Sequence, residues 1–193
     1  MARSPAEPAA PAALGAGSGA AEGNTNGVVF WPVAALVFLA DLATKAFAES
    51  VLGAPGFPQR VLGDAVRFTL VYNPGAAFSL HLGTYSRGIF LALTAVVLRV
   101  LWTLYRRTRD RDNARVLALA LLSAGAVGNA LDRVRSARGV VDWLDVGVGP
   151  HRWPTFNLAD VAVTAGAALL AAVLWREERA PAAQAATSAA EAA

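Results

Sequence analysis

The sequence predicts a mainly α-helical membrane protein, with four transmembrane helices and a small β-sheet in the first extracytoplasmic loop. Three observations predict it. Apolar residues make up 55% of the 193 residues and charged residues 16%, well below the roughly one quarter charged of soluble domains. The apolar residues gather in four segments, at about 28–48, 86–105, 115–133 and 158–176, each near the ~20 residues that cross ~30 Å of hydrocarbon. Between the first two, Val66, Phe68, Leu70 and Tyr72 take alternate positions in a strand-like pattern.

Residues 1–27 are rich in Ala, Pro and Gly, with almost no large apolar side chain. They bury too little to offset the entropy of ordering a backbone, so a disordered cytoplasmic tail is expected. In the first segment Asp41 and Lys45 stand four apart on one helix face, where they can pair near the outer interface. A cleaved signal peptide is the alternative for this segment. It lacks a charged n-region, Arg3 being the only early cation, and Asp41 and Lys45 interrupt its apolar run. A retained helix is expected. The loop that follows, about 49–85, carries the alternating stretch and then a turn at Asn73-Pro74-Gly75.

Orientation follows from charge. The loop between segments two and three, RRTRDRDNAR, holds Arg106, Arg107, Arg109, Arg111 and Arg115, whereas the other loops are longer and more dilute in arginine. Positive-inside bias makes it cytoplasmic, with both termini, and turns loops 49–85 and 134–157 outward. The uncharged runs of the last two segments, Val116 to Leu131 and Val161 to Trp175, are 16 and 15 residues long, short of a full span. To cross, they must draw Asp132 with Arg133, and Asp160, toward the outer face. Arg99, within segment two, must pair or snorkel. The second outer loop has Gly139, Gly147, Gly149 and Pro150, with Trp143 and Trp153 suited to the interface. The organisation is therefore a tail at 1–27, one four-helix membrane domain at 28–177, and an Ala-rich tail at 178–193 whose alanines can prolong the last helix.

Several chemistries are excluded or disfavoured. The chain has no Cys, so it has no disulfides or thiolate metal sites, and His81 and His151 stand far apart in loop contexts, which argues against zinc. The net charge of +3 is not gathered on a periodic face or interleaved with aromatics, so nucleic acid is not an expected partner. Ser79 and His81 are close, but no nucleophile-elbow pattern surrounds Ser79 and no third group is evident.

Two stretches echo each other: Asn129-Ala-Leu-Asp132 closes segment three and Asn157-Leu-Ala-Asp160 opens segment four. Spacing of three puts each Asn and Asp on one face. For the second copy a structural role suffices, with Asn157 as N-cap and Asp160 favoured by the helix dipole. The first copy is harder to explain, because Asp132 meets the negative end of the dipole unless Arg133 compensates it. Between them GVVDWLD adds Asp142 and Asp145. Paired carboxylates can hydrolyse a peptide, one ionised to take a proton from water and the other neutral to donate to the carbonyl oxygen. Spacing does not choose the pair, and solvated loop aspartates are the alternative for Asp142 and Asp145. A transporter would spread its acids through the bilayer depth, whereas these gather at one face. A non-enzymatic scaffold with Asp41–Lys45 and Asp132–Arg133 pairs leaves Asp142 and Asp160 without partners.

With these residues collected, the chain resembles the lipoprotein signal peptidase family, bacterial signal peptidase II. Four blocks carry the resemblance, in the family's order: Asp41-Leu-Ala-Thr44-Lys45; Asn73-Pro-Gly75-Ala-Ala-Phe78-Ser79; Gly125-Ala-Val-Gly128-Asn129-Ala-Leu-Asp132-Arg133, followed by Val140-Val141-Asp142; and Phe156-Asn157-Leu-Ala159-Asp160. The resemblance implies an aspartic endopeptidase, without metal or cofactor, of the bacterial plasma membrane. It would cut the signal peptide from a prolipoprotein before a cysteine carrying diacylglyceryl. The implied partners are that substrate and membrane lipid, with the enzyme a monomer. Asp142 and Asp160 would be catalytic. Asn129, Asp132, Arg133 and Asn157 would order the site, Asn73 and Arg133 would lie along the substrate backbone, and Asp41 and Lys45 would be structural. Trp143 replaces the usual Phe and Ala124 a common Gly, while Arg135 to Gly139 is about one residue longer than typical, which keeps Asp145 as the alternative to Asp142.

Overall fold

Four helices carry the chain back and forth and two loops meet in one sheet. The computed structural model describes residues 25–75 and 85–191, with side chains to 179. Ser79, His81 and the Ala76 to Ser79 part of the second block lie outside them. In chain order the elements are α1 (Asn26–Val51), β1 (Gln59–Leu62), β2 (Val66–Asn73), α2 (Ser86–Arg107), α3 (Asn113–Arg135), β3 (Val140–Val148), β4 (His151–Arg152) and α4 (Leu158–Glu191). All four helices are long and apolar enough to cross a membrane. The 22 residues of α2 make a rod of about 33 Å. The last helix continues past the expected end at 176 to Glu191, as strong helix formers in its Ala-rich run favour.

α3 is the central helix, burying Val116, Ala118, Leu119, Ala120, Ala124, Gly125 and Gly128 against its neighbours. Large apolar side chains point outward instead: Val28, Leu36, Leu39, Phe47, Leu93, Val96 and Leu174 are all exposed. Small residues at the close helix contacts with large apolar side chains facing outward is the packing of helices whose solvent is lipid. A Cβ at Gly125 would lie 2.4 Å from the Ala159 carbonyl oxygen, and one at Gly128 2.6 Å from Asp41 Oδ2. Only glycine allows α4 and the Asp41 carboxylate this close to α3.

Each end of the bundle is tied. Thr25 donates from its backbone N and its Oγ1 to Asp110 Oδ1, at 2.9 and 2.8 Å, and Asn26 Nδ2 donates to the Arg109 carbonyl at 3.1 Å. The start of α1 is thereby fixed to the arginine-rich α2–α3 loop. A core of Phe30, Leu101, Tyr105, Val116, Leu119 and Ala120 fills that end. At the other end Ala48, Leu52, Leu70 and Val141 pack α1 against the sheet.

The expected sheet is present and extends beyond the first outer loop. It is antiparallel in the order β1-β2-β3-β4, so the second outer loop supplies half of its strands. Its glycines and the unbroken VVDWLD run obscure the strand alternation that made β2 legible. In the β2–β3 register Val71 faces Asp142 and Asn73 faces Val140. Gly139, at φ +102°, enters β3 so close to Asn73 that a Cβ would lie 2.1 Å from the Asn73 carbonyl oxygen.

Candidate active site

The end of the bundle that bears the sheet collects Asp41, Lys45, Asn73, Asn129, Asp132, Arg133, Asp142, Asn157 and Asp160. α3 delivers Asn129, Asp132 and Arg133 in its last turns, α4 delivers Asp160 in its first, and β3 brings Asp142 across from the sheet. Asn157 joins them. Its Oδ1 accepts the Asp160 N–H at 3.0 Å, and Asp160 Oδ2 accepts the Asn157 N–H at 3.2 Å, a reciprocal capping box at the start of α4. Its Nδ2 donates to Asp142 Oδ1 at 2.6 Å and to Asn129 Oδ1 at 3.1 Å. The helix cap and the link between the two carboxylates are thus one side chain, fully buried.

Each aspartate has further donors. Asn73 Nδ2 donates to Asp142 Oδ2 at 3.2 Å, and Asn129 Nδ2 donates to Asp160 Oδ1 at 2.8 Å. Asp142 is 2% exposed. Burial, and then the charge of Asp160, push its carboxyl up to about 7, against the opposing hydrogen bonds from Asn73 and Asn157. Loss of water disfavours its charged form, and a neighbouring anion adds to that. Asp160 has a different setting: both oxygens accept N–H donors at a helix N-terminus, where the dipole favours negative charge.

Behind the pair lies an ionic core. Lys45 Nζ stands 2.8 Å from Asp41 Oδ2, 2.8 Å from Asp132 Oδ2 and 3.0 Å from Asn129 Oδ1. Asp41 Oδ1 accepts the Ala159 N–H at 2.9 Å, and Asp132 Oδ2 accepts the Val141 N–H at 3.3 Å. The unfavourable dipole at Asp132 is therefore offset by Lys45. Arg133, its neighbour in sequence, turns instead to the Asn129 and Gly75 carbonyls at 3.2 and 2.8 Å, with Phe90 beneath its guanidinium at 5.3 Å. The alternative of an Asp132–Arg133 pair gives way to a Lys45 bridge between α1 and α3. The sequence reading missed this because the partners are distant in the chain. The signal was the buried setting implied by a Lys within an apolar run.

Asp142 and Asp160 both face a cavity of about 750 Å³ lined also by Asn73, Gly75, Asn129, Arg133, Trp153, Phe156, Val163 and Thr164. Trp153, Val163 and Thr164 carried no signal in the sequence as lining residues. Arg133 Nε is buried with no partner among the described residues, which leaves a donor in this wall. Asp145, the alternative to Asp142, is engaged elsewhere. Arg152 Nε donates to its Oδ1 at 2.8 Å and Thr69 Oγ1 to its Oδ2 at 3.2 Å, and it does not line the cavity. Trp143 packs edge-on against Phe68, ring centres 5.1 Å apart, so the larger ring is accommodated at the sheet.

Comparison with known proteins bears on this arrangement. The family model of signal peptidase (SPase) II matches residues 33–176. The lipoprotein signal peptidase of Geobacter metallireducens is 39% identical over 153 residues, covering 78% of this chain and 93% of that protein. That of Geobacter sulfurreducens is 41% identical over 141 residues, covering 72% and 86%. A solved bacterial membrane enzyme superposes with a TM-score of 0.69 at 28% identity, covering 76% of this chain and 87% of the other.

Proposed function

We propose that Asp142 and Asp160 are the catalytic dyad of this chain, which belongs to the signal peptidase II family, the membrane aspartic peptidases that remove signal peptides from prolipoproteins. The observation that carries this is the shared cavity wall in which Asn157 links two carboxyls of unlike environment. Asp160, surrounded by N–H donors, takes a proton from water. The water oxygen then bonds to the scissile carbonyl carbon, while Asp142, which holds its proton to about pH 7, gives it to the carbonyl oxygen. When the tetrahedral intermediate collapses, the proton on Asp160 passes to the leaving nitrogen and the C–N bond breaks. Asp142 recovers its proton from the hydroxyl.

Asn129 and Asn157 hold the dyad. Asn73 and Arg133 lie along the substrate backbone, Arg133 offering an Nε without a partner among the described residues, and Asp132, Asp41 and Lys45 keep α1, α3 and the sheet in register. The arginine-rich loop faces the cytoplasm with both termini, and the dyad sits at the extracytoplasmic face of the plasma membrane. A substrate carrying diacylglyceryl on its cysteine suits that depth, since its acyl chains stay in lipid while water reaches the bond before the cysteine. The enzyme works as a monomer without cofactor, the residues 28–177 forming its peptidase domain between the two tails. The test is cleavage of a preprolipoprotein with and without its diacylglyceryl group by the purified chain in lipid. Cleavage of the lipidated form alone is expected, and equal cleavage of both would refute the lipid requirement.

A further inference from the structure

Arg99 stands apart from the site. It lies within α2, exposed, and among the described residues no acid or hydrogen-bond acceptor pairs with its guanidinium. It borders a shallow groove of about 380 Å³ lined by Val96, Val100, Thr103 and Leu104. Val96 and Val100 are 61% and 52% exposed, and α2 packs chiefly against α3, so this face meets lipid. Its depth is set by the aromatics at the arginine-rich end. Trp31 and Trp102 lie 6.3 Å apart there, at the level where such rings mark the membrane interface. Arg99 is three residues on the bilayer side of Trp102, about 4–5 Å along the axis. Arg106 is seven residues on from Arg99, on the same helix face, and rests over the Trp102 ring at 6.0 Å.

We infer that Arg99 and Arg106 clamp the phosphate of an anionic phospholipid in the leaflet at the arginine-rich end, with an acyl chain in the Val96–Val100–Leu104 groove. Charge complementarity selects this occupant. An unpaired arginine at the edge of hydrocarbon is costly, and snorkelling toward a phosphate relieves it. The Cα atoms of the two arginines are about 10 Å apart along the helix, a span that both long side chains can close on one phosphodiester, which arginine binds bidentately. Arg107, Arg109 and Arg111 follow with only Asp110 and Asp112 among them, so the end as a whole favours a lipid of net negative charge.

The experiment is native mass spectrometry of the full chain in neutral detergent, titrated with phosphatidylglycerol or with phosphatidylcholine of the same chain length. One phosphatidylglycerol per chain is expected to bind about fivefold more tightly than phosphatidylcholine, Arg99→Gln should remove most of that preference, and Arg99→Lys should keep part of it. Val100→Phe, which fills the groove and leaves both arginines, should weaken phosphatidylglycerol as well. Excess inorganic phosphate should not displace the lipid. No preference in the parent chain, an unchanged preference in both Arg99→Gln and Val100→Phe, or displacement by phosphate alone would overturn the inference. Cleavage of substrate in detergent reports separately that each variant is folded and that the dyad works.

Discussion

Lys45 Nζ, on α1, donates to Asn129 Oδ1, on α3, at 3.0 Å. The same oxygen accepts Asn157 Nδ2 at 3.1 Å, so the Asn129 amide has one orientation open to it, with Nδ2 toward Asp160. A lysine that touches neither carboxyl of the proposed dyad thereby aims the donor that Asp160 accepts. Lys45→Met removes this aim and leaves Asp41 and Asp132 without their cation. Breaking a buried ion cluster from one side typically costs about 3–5 kcal/mol, so the variant should unfold well below the parent in a detergent melt. Any folded fraction should cleave substrate at least tenfold more slowly.

Asn157→Ala loses a helix cap, worth about 1 kcal/mol, together with the donor to Asp142 Oδ1 and the bond to Asn129. The stability loss should be small and the loss of kcat large, roughly a hundredfold, as for removal of a preorganised donor. Asn157→Asp restores the cap without the amide donor. If it recovers the melting temperature but not the rate, the two roles separate; recovery of both would mean that Asn157 acts only as a cap.

Gly125→Ala puts a methyl 2.4 Å from the Ala159 carbonyl oxygen, a backbone atom that cannot swing aside. α4 must shift outward and carry Asp160 with it. Overpacking of this kind costs about 1–3 kcal/mol. A melt should show that loss, and the rate should fall with it because the start of α4 is part of the site.

The helices, their order and the gathering of acids at one end were legible in the sequence. Apolar runs of near-spanning length and two short runs ending in Asp132 and Asp160 are local signals. Partner choice was not legible. Arg133 is the cation next to Asp132 in sequence, yet the cation that pairs with it is Lys45, 87 positions earlier by residue number, because close packing at Gly128 brings α1 against α3. The sheet's second half was hidden because β3, buried along most of its first six residues, shows no polar alternation. Asp142 and Asp145 could not be told apart by spacing; their partners, Asn157 and Arg152, depend on strand pairing that no short motif encodes.

The Asp142 carboxyl, pushed up to about 7 mainly by burial, must be protonated to serve as the acid in the proposed mechanism. Activity should therefore fall as pH rises through about 7. Asn73 donates to Asp142 Oδ2 at 3.2 Å, a bond that favours the ionised form and opposes the shift. Asn73→Ala should move the alkaline limb of kcat to higher pH as well as lower the rate. A limb that stays in place or moves to lower pH would assign the titration to another group.

Catalysis by Asp142 and Asp160 is decided by the rates of Asp142→Asn, Asp160→Asn and Asp145→Asn on a diacylglyceryl-modified preprolipoprotein, each protein shown to be inserted and folded. The first two should lose cleavage to background, while Asp145→Asn, whose carboxylate serves Arg152 and Thr69 at the sheet, should keep a substantial rate. Retained cleavage by Asp142→Asn or by Asp160→Asn would contradict the dyad.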